Sequence, residues 1–274
     1  MIHPWDAIWI FLILSSLQPL VQKQLLALSR RRMLRLIAAR RDATVITLIH
    51  RQESISLLGF PLMRHIDIDD AESVLKAIRG THPGKTIEII LTRGGLVLAA
   101  SQIARALRDH DGRVVAVVPH YAMSGGTLIA LAADEIVLDG HAALGPVDPQ
   151  LGQYPAASLV EVASLPVQHE DQTLILADVA RKALRQVEAV VTDLLKSHSD
   201  PQRARDVARL LSQGTWTHDH PLMASDLEQL GLPVRVGVPA ERAGANGSLP
   251  AAARSGSGRR ILPEPSGARA SSRA

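Results

Sequence analysis

Thr86-Ile87-Glu88-Ile89-Ile90-Leu91-Thr92-Arg93-Gly94-Gly95, and later Arg113-Val114-Val115-Ala116-Val117-Val118 leading into His120-Tyr121-Ala122-Met123-Ser124-Gly125-Gly126-Thr127, decide the architecture. Each apolar run is nearly continuous, as a strand buried on both faces requires. Each then gives way to a glycine-bearing loop and a segment of helical periodicity, Leu96 to Asp109 in one case and Gly125 to Ala133 in the other. That order predicts parallel strands joined by crossover helices. Working outward, strands are predicted at Thr44 to His50, Glu135 to Leu138 and Val234 to Val238, and helices at Asp69 to Arg79, Thr173 to Ser197, Gln202 to Ser212 and Ala224 to Gly231. The fold class is α/β, and the domain that carries it is read as residues 43–239.

Composition changes on both sides of that domain. Ala7 to Val21 reads AIWIFLILSSLQPLV, an apolar run just short of the roughly 17 to 25 residues of a spanning helix. No Lys or Arg precedes it, while Lys23, Arg30, Arg31, Arg32, Arg35, Arg40 and Arg41 follow, which is the charge pattern of an uncleaved anchor. By the positive-inside rule the protein is then a single-pass membrane protein with its domain in the cytoplasm. Residues 1–42 are read as a membrane-anchor helix plus a basic juxtamembrane helix. An amphipathic helix lying on the membrane surface is the competing reading, since the run holds Gln18 and Pro19. Residues 240–274, a mixture of Ala, Arg, Ser, Gly and Pro without hydrophobic periodicity, are read as a disordered tail.

A chain of 274 residues that is 46% hydrophobic can bury a sizeable core, and its 0 cysteines exclude a disulfide scaffold, a Cys-ligated metal and a cysteine nucleophile. The net charge of +3 comes with a roughly neutral middle, so no nucleic-acid surface is expected. Of 30 basic residues only five are lysines (Lys23, Lys76, Lys85, Lys182 and Lys196), which makes each of them a point of interest. Gly80-Thr81-His82-Pro83-Gly84-Lys85-Thr86 resembles a phosphate loop, but it has one residue too few between its glycines and precedes its strand instead of following it. His218-Asp219-His220 lacks a third metal ligand, and in an extended segment its two imidazoles point to opposite sides, so it is read as a structural loop. Neither G-x-S-x-G nor H-E-x-x-H occurs. No metal and no cofactor are expected.

The two glycine loops leave the carboxyl ends of parallel strands, where open α/β sheets place their ligand sites. Adjacent glycines let the backbone turn sharply and aim an N–H outward, while a Ser at a helix start lies in a field that favours developing negative charge. The pair could therefore supply a nucleophile and an oxyanion hole. Taken alone, each loop is better explained by an ordinary strand-to-helix turn at Gly94-Gly95 and an ordinary N-cap at Ser124.

Ile90-Leu91-Thr92-Arg93-Gly94-Gly95, Tyr121 to Thr127, Ala132-Ala133-Asp134-Glu135-Ile136 and Leu144-Gly145-Pro146-Val147-Asp148-Pro149-Gln150 occur in that order, together with Gln213 to Pro221. In this they resemble the serine dehydrogenase proteinase family, a membrane-associated group in the Clp-protease and signal-peptide-peptidase-A branch of the Clp/crotonase fold. The resemblance covers about Ala43 to Val236. It implies a ββα spiral core and a membrane-anchored serine endopeptidase that cleaves polypeptides through a Ser124 acyl-enzyme. The amides of Gly95 and Gly125 would be the oxyanion donors, with extended substrate lying along the Gly94-Gly95 edge. It also implies a homo-oligomer that uses neither metal nor nucleotide.

For the base the resemblance implies a choice. The position of the Clp-protease His falls within Leu144 to Asp148, which has none, whereas signal peptide peptidase A relatives use Lys. That makes Lys182, on the Thr173 to Ser197 helix, the expected partner in a Ser–Lys dyad, provided that burial keeps it neutral. His141, Asp148 and the absence of any base remain alternatives. Two rivals stand beside the peptidase. One is a crotonase-type acyl-thioester hydrolase or lyase, and the other is a non-catalytic membrane scaffold or peptide-binding pseudoenzyme.

Overall fold

The computed structural model describes residues 41–49, 56–57, 60–61, 68–92 and 94–237, together with a few positions between 18 and 39. The chain runs β1 (Ala43–Ile49), β2 (Ser56–Leu57), β3 (Phe60–Pro61), α1 (Ile68–Arg79), β4 (Thr86–Thr92), α2 (Val97–Arg108), β5 (Val114–Val118), β6 (Tyr121–Ala122) and α3 (Gly125–Ala130). It continues through β7 (Glu135–Leu138), β8 (Ala143–Leu144), β9 (Gln150–Leu151), β10 (Tyr154–Pro155), α4 (Ala156–Ser164), α5 (Asp171–Leu195), α6 (Pro201–Ser212), α7 (Ala224–Gln229) and β11 (Val234–Val236).

Five strands form the main sheet in the order β1-β4-β5-β7-β11. Every neighbouring pair is parallel, as the strand–loop–helix pattern requires. β5 is buried at all of its positions and β4 at all but its two ends. Ile87, Ile89 and Leu91 join Ala116, Val118, Ile136 and Leu138 in the principal core on one face of the sheet. Ile90, Val115, Val117 and Val137 make a second cluster on the other. Each Val, Ile or Leu side chain among them contributes about 1.5–3 kcal/mol when fully buried, so the run that identifies the strands also holds them together. α2 turns a small-residue stripe, Ala99, Ala100, Ile103, Ala104 and Leu107, inward, and these alanines let the α3 backbone approach closely. α6 has a Pro after its N-cap, and the Asp200 carboxylate accepts the Gln202 and Arg203 N–H groups, which starts the helix at the position its sequence signals.

The chain's mixed α/β character and parallel sheet match the sequence reading, and all five expected strands and six expected helices are present. Their ends differ slightly. α3 stops at Ala130 instead of Ala133, because the Ala132 and Ala133 N–H groups bond carbonyls three residues back and Asp134 N–H has already turned to the Val114 carbonyl. α4 was not legible as a separate helix, being only nine residues long between Pro155 and a break at Leu165. Nearly all of the apolar run Ala7 to Val21, and all of residues 240–274, lie outside the described residues. Among the described residues no helix is long and apolar enough to cross a membrane.

Candidate active site

Ser124 sits where β6 ends and α3 begins, with backbone angles φ 50° and ψ −114°. Few L-residues adopt this region; a conformation of this kind costs on the order of 1–3 kcal/mol and persists only where the surroundings impose it. Here they are visible. Ser124 N–H donates to Pro146 O at 3.2 Å, and Gly126 N–H donates to Met123 O at 2.8 Å. The buried Thr127 hydroxyl lies 2.9 Å from Ala122 O and 2.8 Å from Gly145 O, tying together the chain on either side of Ser124. The Ser124 side chain makes no capping hydrogen bond, which removes the ordinary N-cap explanation. The serine is thus held in a strained turn with its hydroxyl not spent on capping the helix.

The glycines are required by close approach. A methyl placed on Gly94 would lie 2.5 Å from Met123 O, and one on Gly125 would lie 2.6 Å from Gly95 O and 3.0 Å from the Ala100 methyl. The Gly94-Gly95 loop therefore rests directly on the Met123-Ser124-Gly125 turn. As the first residue of α3, Gly125 has an N–H without an intrahelical acceptor. The structure thus brings Gly94, Gly95, Ser124 and Gly125 into one place.

Lys182 is not among them in the manner the Ser–Lys reading needs. It lies on the solvent face of α5, its side chain 57% exposed, in an ion pair with Asp178 one turn back. A neutral lysine requires burial away from negative charge, and Lys182 has the reverse. The apolar neighbours Ala183 and Leu184 misled, because in a helix adjacent residues point in different directions and Leu184 alone of the three is buried. His141 is also exposed, in the turn after β7, where its own N–H donates to Asp139.

Asp148 behaves differently. Only 2% exposed, it lies in the buried stretch from Ala142 to Pro149, two residues beyond the carbonyl that holds Ser124. Its Oδ2 accepts from Gln150 Nε2 at 2.6 Å, and its Oδ1 accepts the Nδ1–H of His218 at 2.8 Å. The loop carrying His218 is pinned to the same stretch at both ends. Val147 N–H donates to Leu211 O, and Leu144 and Leu222 exchange two backbone hydrogen bonds. The hydrogen bond to Asp148 raises the His218 pKa above its ordinary value; desolvation opposes this, and the charges of Asp148 and Asp219 add to it. With Nδ1 committed to the carboxylate, Nε2 is the nitrogen left to exchange protons. Sequence reading had set His218-Asp219-His220 aside as a loop. The available clue was Asp148 itself, a lone carboxylate amid a buried run, which demands a partner.

Among the described residues no group of acidic and His side chains is arranged to hold a metal. The chain is matched over residues 3–252 by the model of a family described as ClpP-like SDH-type serine proteinase. Uncharacterized protein MJ0137 of Methanocaldococcus jannaschii is 49% identical over 240 residues, covering 86% of this chain and 83% of its own. A second uncharacterized protein of that organism, MJ1495, is 46% identical over 233 residues, covering 84% and 80%. Among solved structures, a mutant of the 1510-N membrane-bound stomatin-specific protease aligns over 62% of this chain and 72% of its own, with 18% identity and a TM-score of 0.40.

Proposed function

Because this chain belongs to the ClpP-like SDH-type serine proteinase family, we propose that it is a serine endopeptidase in which Ser124 is the nucleophile, His218 the general base and Asp148 the residue that orients His218. The observation that carries the assignment is the 2.8 Å hydrogen bond between His218 Nδ1 and the buried Asp148, which lies two residues beyond the Pro146 carbonyl that accepts the N–H of the strained Ser124. His218 Nε2 takes the Ser124 Oγ proton as Oγ attacks the scissile carbonyl carbon. The carbonyl oxygen becomes an oxyanion, stabilised by the Gly95 and Gly125 N–H groups; each such donor contributes about 2.7–4 kcal/mol in acyl transfer. The C–N bond then breaks, the amine leaves with the proton from His218, and a water activated by the same imidazole hydrolyses the Ser124 ester. A polypeptide added as an extended strand along Gly94-Gly95 supplies the carbonyl. Substitution of Ser124 by Ala in purified full-length protein should abolish hydrolysis of an unfolded polypeptide. Wild-type turnover by that variant, free of contaminating protease, removes the peptidase reading.

The Clp/crotonase-like spiral arrangement of this core, its limits at residues 43 and 239, the membrane anchor in residues 1–42 and the cytoplasmic placement of the domain belong to the same proposal. The anchor is supported by the apolar run Ala7 to Val21 and the basic residues that follow it. A reporter fused after Pro239 should be active only on the cytoplasmic side, and activity on the opposite side alone overturns the topology.

Homo-oligomerisation is part of the reading too. Its support is the exposed apolar row of Val162, Leu165, Val167, Leu174, Ile175 and Val179 along α4, α5 and their connection. α5 carries Asp171 and Asp178 toward one end and Arg181 and Arg185 further along, so two antiparallel copies would pair opposite charges. Light scattering of Ile175→Glu should show a smaller species than the wild type; an unchanged mass rules this face out.

A further inference from the structure

The loop that presents His218 has almost no core of its own. Between Leu211 and Leu222, where it is pinned to the Asp148 stretch, Gly214, Thr215, Thr217, Asp219 and Pro221 are exposed. Trp216 packs against the principal core. His220 N–H donates to Thr217 O at 2.9 Å, closing a four-residue turn in which His218 and Asp219 are the central pair. The rings of Trp216, just before that turn, and His220, its last residue, lie stacked, with centroids 5.7 Å apart and planes 2° from parallel. Pro221 disfavours the helical region for His220.

We infer that Trp216 and His220 are positioning residues for His218: their stack anchors the turn to the core and fixes the direction from which Nδ1 reaches Asp148. The inference rests on the reading of His218 as general base. Without the stack, the turn keeps one backbone hydrogen bond and the imidazole gains freedom to swing away from the carboxylate. His220 acts here through its flat face and not through proton transfer, so any aromatic ring of similar size serves in its place.

The test uses the full-length chain in detergent with His220→Ala, His220→Leu and His220→Phe, and two readouts. One is the low-field proton resonance of the His218 Nδ1–H, assigned by its absence from His218→Ala. The other is the separate measurement of kcat and KM on a polypeptide substrate. His220→Phe should keep the resonance and the wild-type kcat. His220→Ala and His220→Leu should lose or shift the resonance and lower kcat by about 10- to 100-fold, the penalty of a misplaced catalytic group, with KM unchanged. Should the Ala variant fail to fold, the Leu variant, which keeps bulk without an aromatic face, decides alone. A resonance and kcat preserved without the ring, or a Phe variant as defective as Ala, or no such resonance in the wild type, overturns the clamp. If instead His218→Ala hydrolyses peptide at the wild-type rate, the general-base reading fails, while the resonance comparison still decides the clamp.

Discussion

His218 donates from Nδ1 to Oδ1 of Asp148 across 2.8 Å, and the carboxylate it meets is 2% exposed while the imidazole reaches solvent. Proton transfer can therefore occur at Nε2 while the charge that forms on the ring is met from the buried side. A consequence follows for pH. With its pKa raised above the ordinary value of about 6.5, His218 is protonated, and unable to act as base, until the pH passes a midpoint above that figure.

Peptide hydrolysis should accordingly fall on acidification with a kcat/KM midpoint above about 6.5. Stability runs the other way: a raised folded pKa stabilises fully below the unfolded pKa, and that contribution is lost as pH rises through the folded pKa. Asp148→Asn should move the activity limb toward lower pH and reduce kcat by about 10⁴-fold, as loss of the orienting carboxylate does in triads. Rate measurements on both proteins across the acid range check this, and a limb unmoved by the substitution assigns it to another group.

Ser124 occupies φ 50° at the expense of backbone strain. Ser124→Gly, which adopts that region freely, should be inactive yet more stable than Ser124→Ala, by about 1 kcal/mol or more. For a domain of this size that is a rise in Tm of about 2–4 °C. Calorimetry on the two inactive variants isolates the strain from the chemistry; equal melting temperatures, or a less stable glycine variant, would mean that the turn is not strained.

Lys182 pairs with Asp178 on the solvent face of α5. Lys182→Ala should therefore retain wild-type kcat/KM and an unchanged pH profile. Loss of turnover in a folded Lys182→Ala protein would restore the Ser–Lys dyad and displace His218.

The sheet could be read from sequence because the physics that buries it is local: Val114 to Val118 is apolar without interruption and Ile87 to Leu91 is apolar but for Glu88, and such runs have few alternatives to a doubly covered strand. The close approach of the Gly94-Gly95 loop to the Ser124-Gly125 turn was legible as well, since glycine pairs at strand ends advertise it. The proposed base was not. His218 and Asp148 are separated by 70 residues, and they meet because the Leu144–Leu222 bridge folds the loop after α6 onto the strand after β7. No periodicity or spacing encodes that pairing. Lys182 was chosen for its rarity and its apolar sequence neighbours, both of which say little about the face on which a helical side chain points.

The most direct measurement is the rate at which a fluorophosphonate modifies Ser124 in the folded full-length protein, with the adduct located by mass spectrometry, in the wild type and in His218→Ala. A single phosphonyl adduct should form on the peptide containing Ser124, and removal of His218 should slow its formation by at least about 10³-fold. A folded wild-type protein that acquires no adduct, or acquires one at Ser124 equally fast without His218, contradicts the assignment of nucleophile and base.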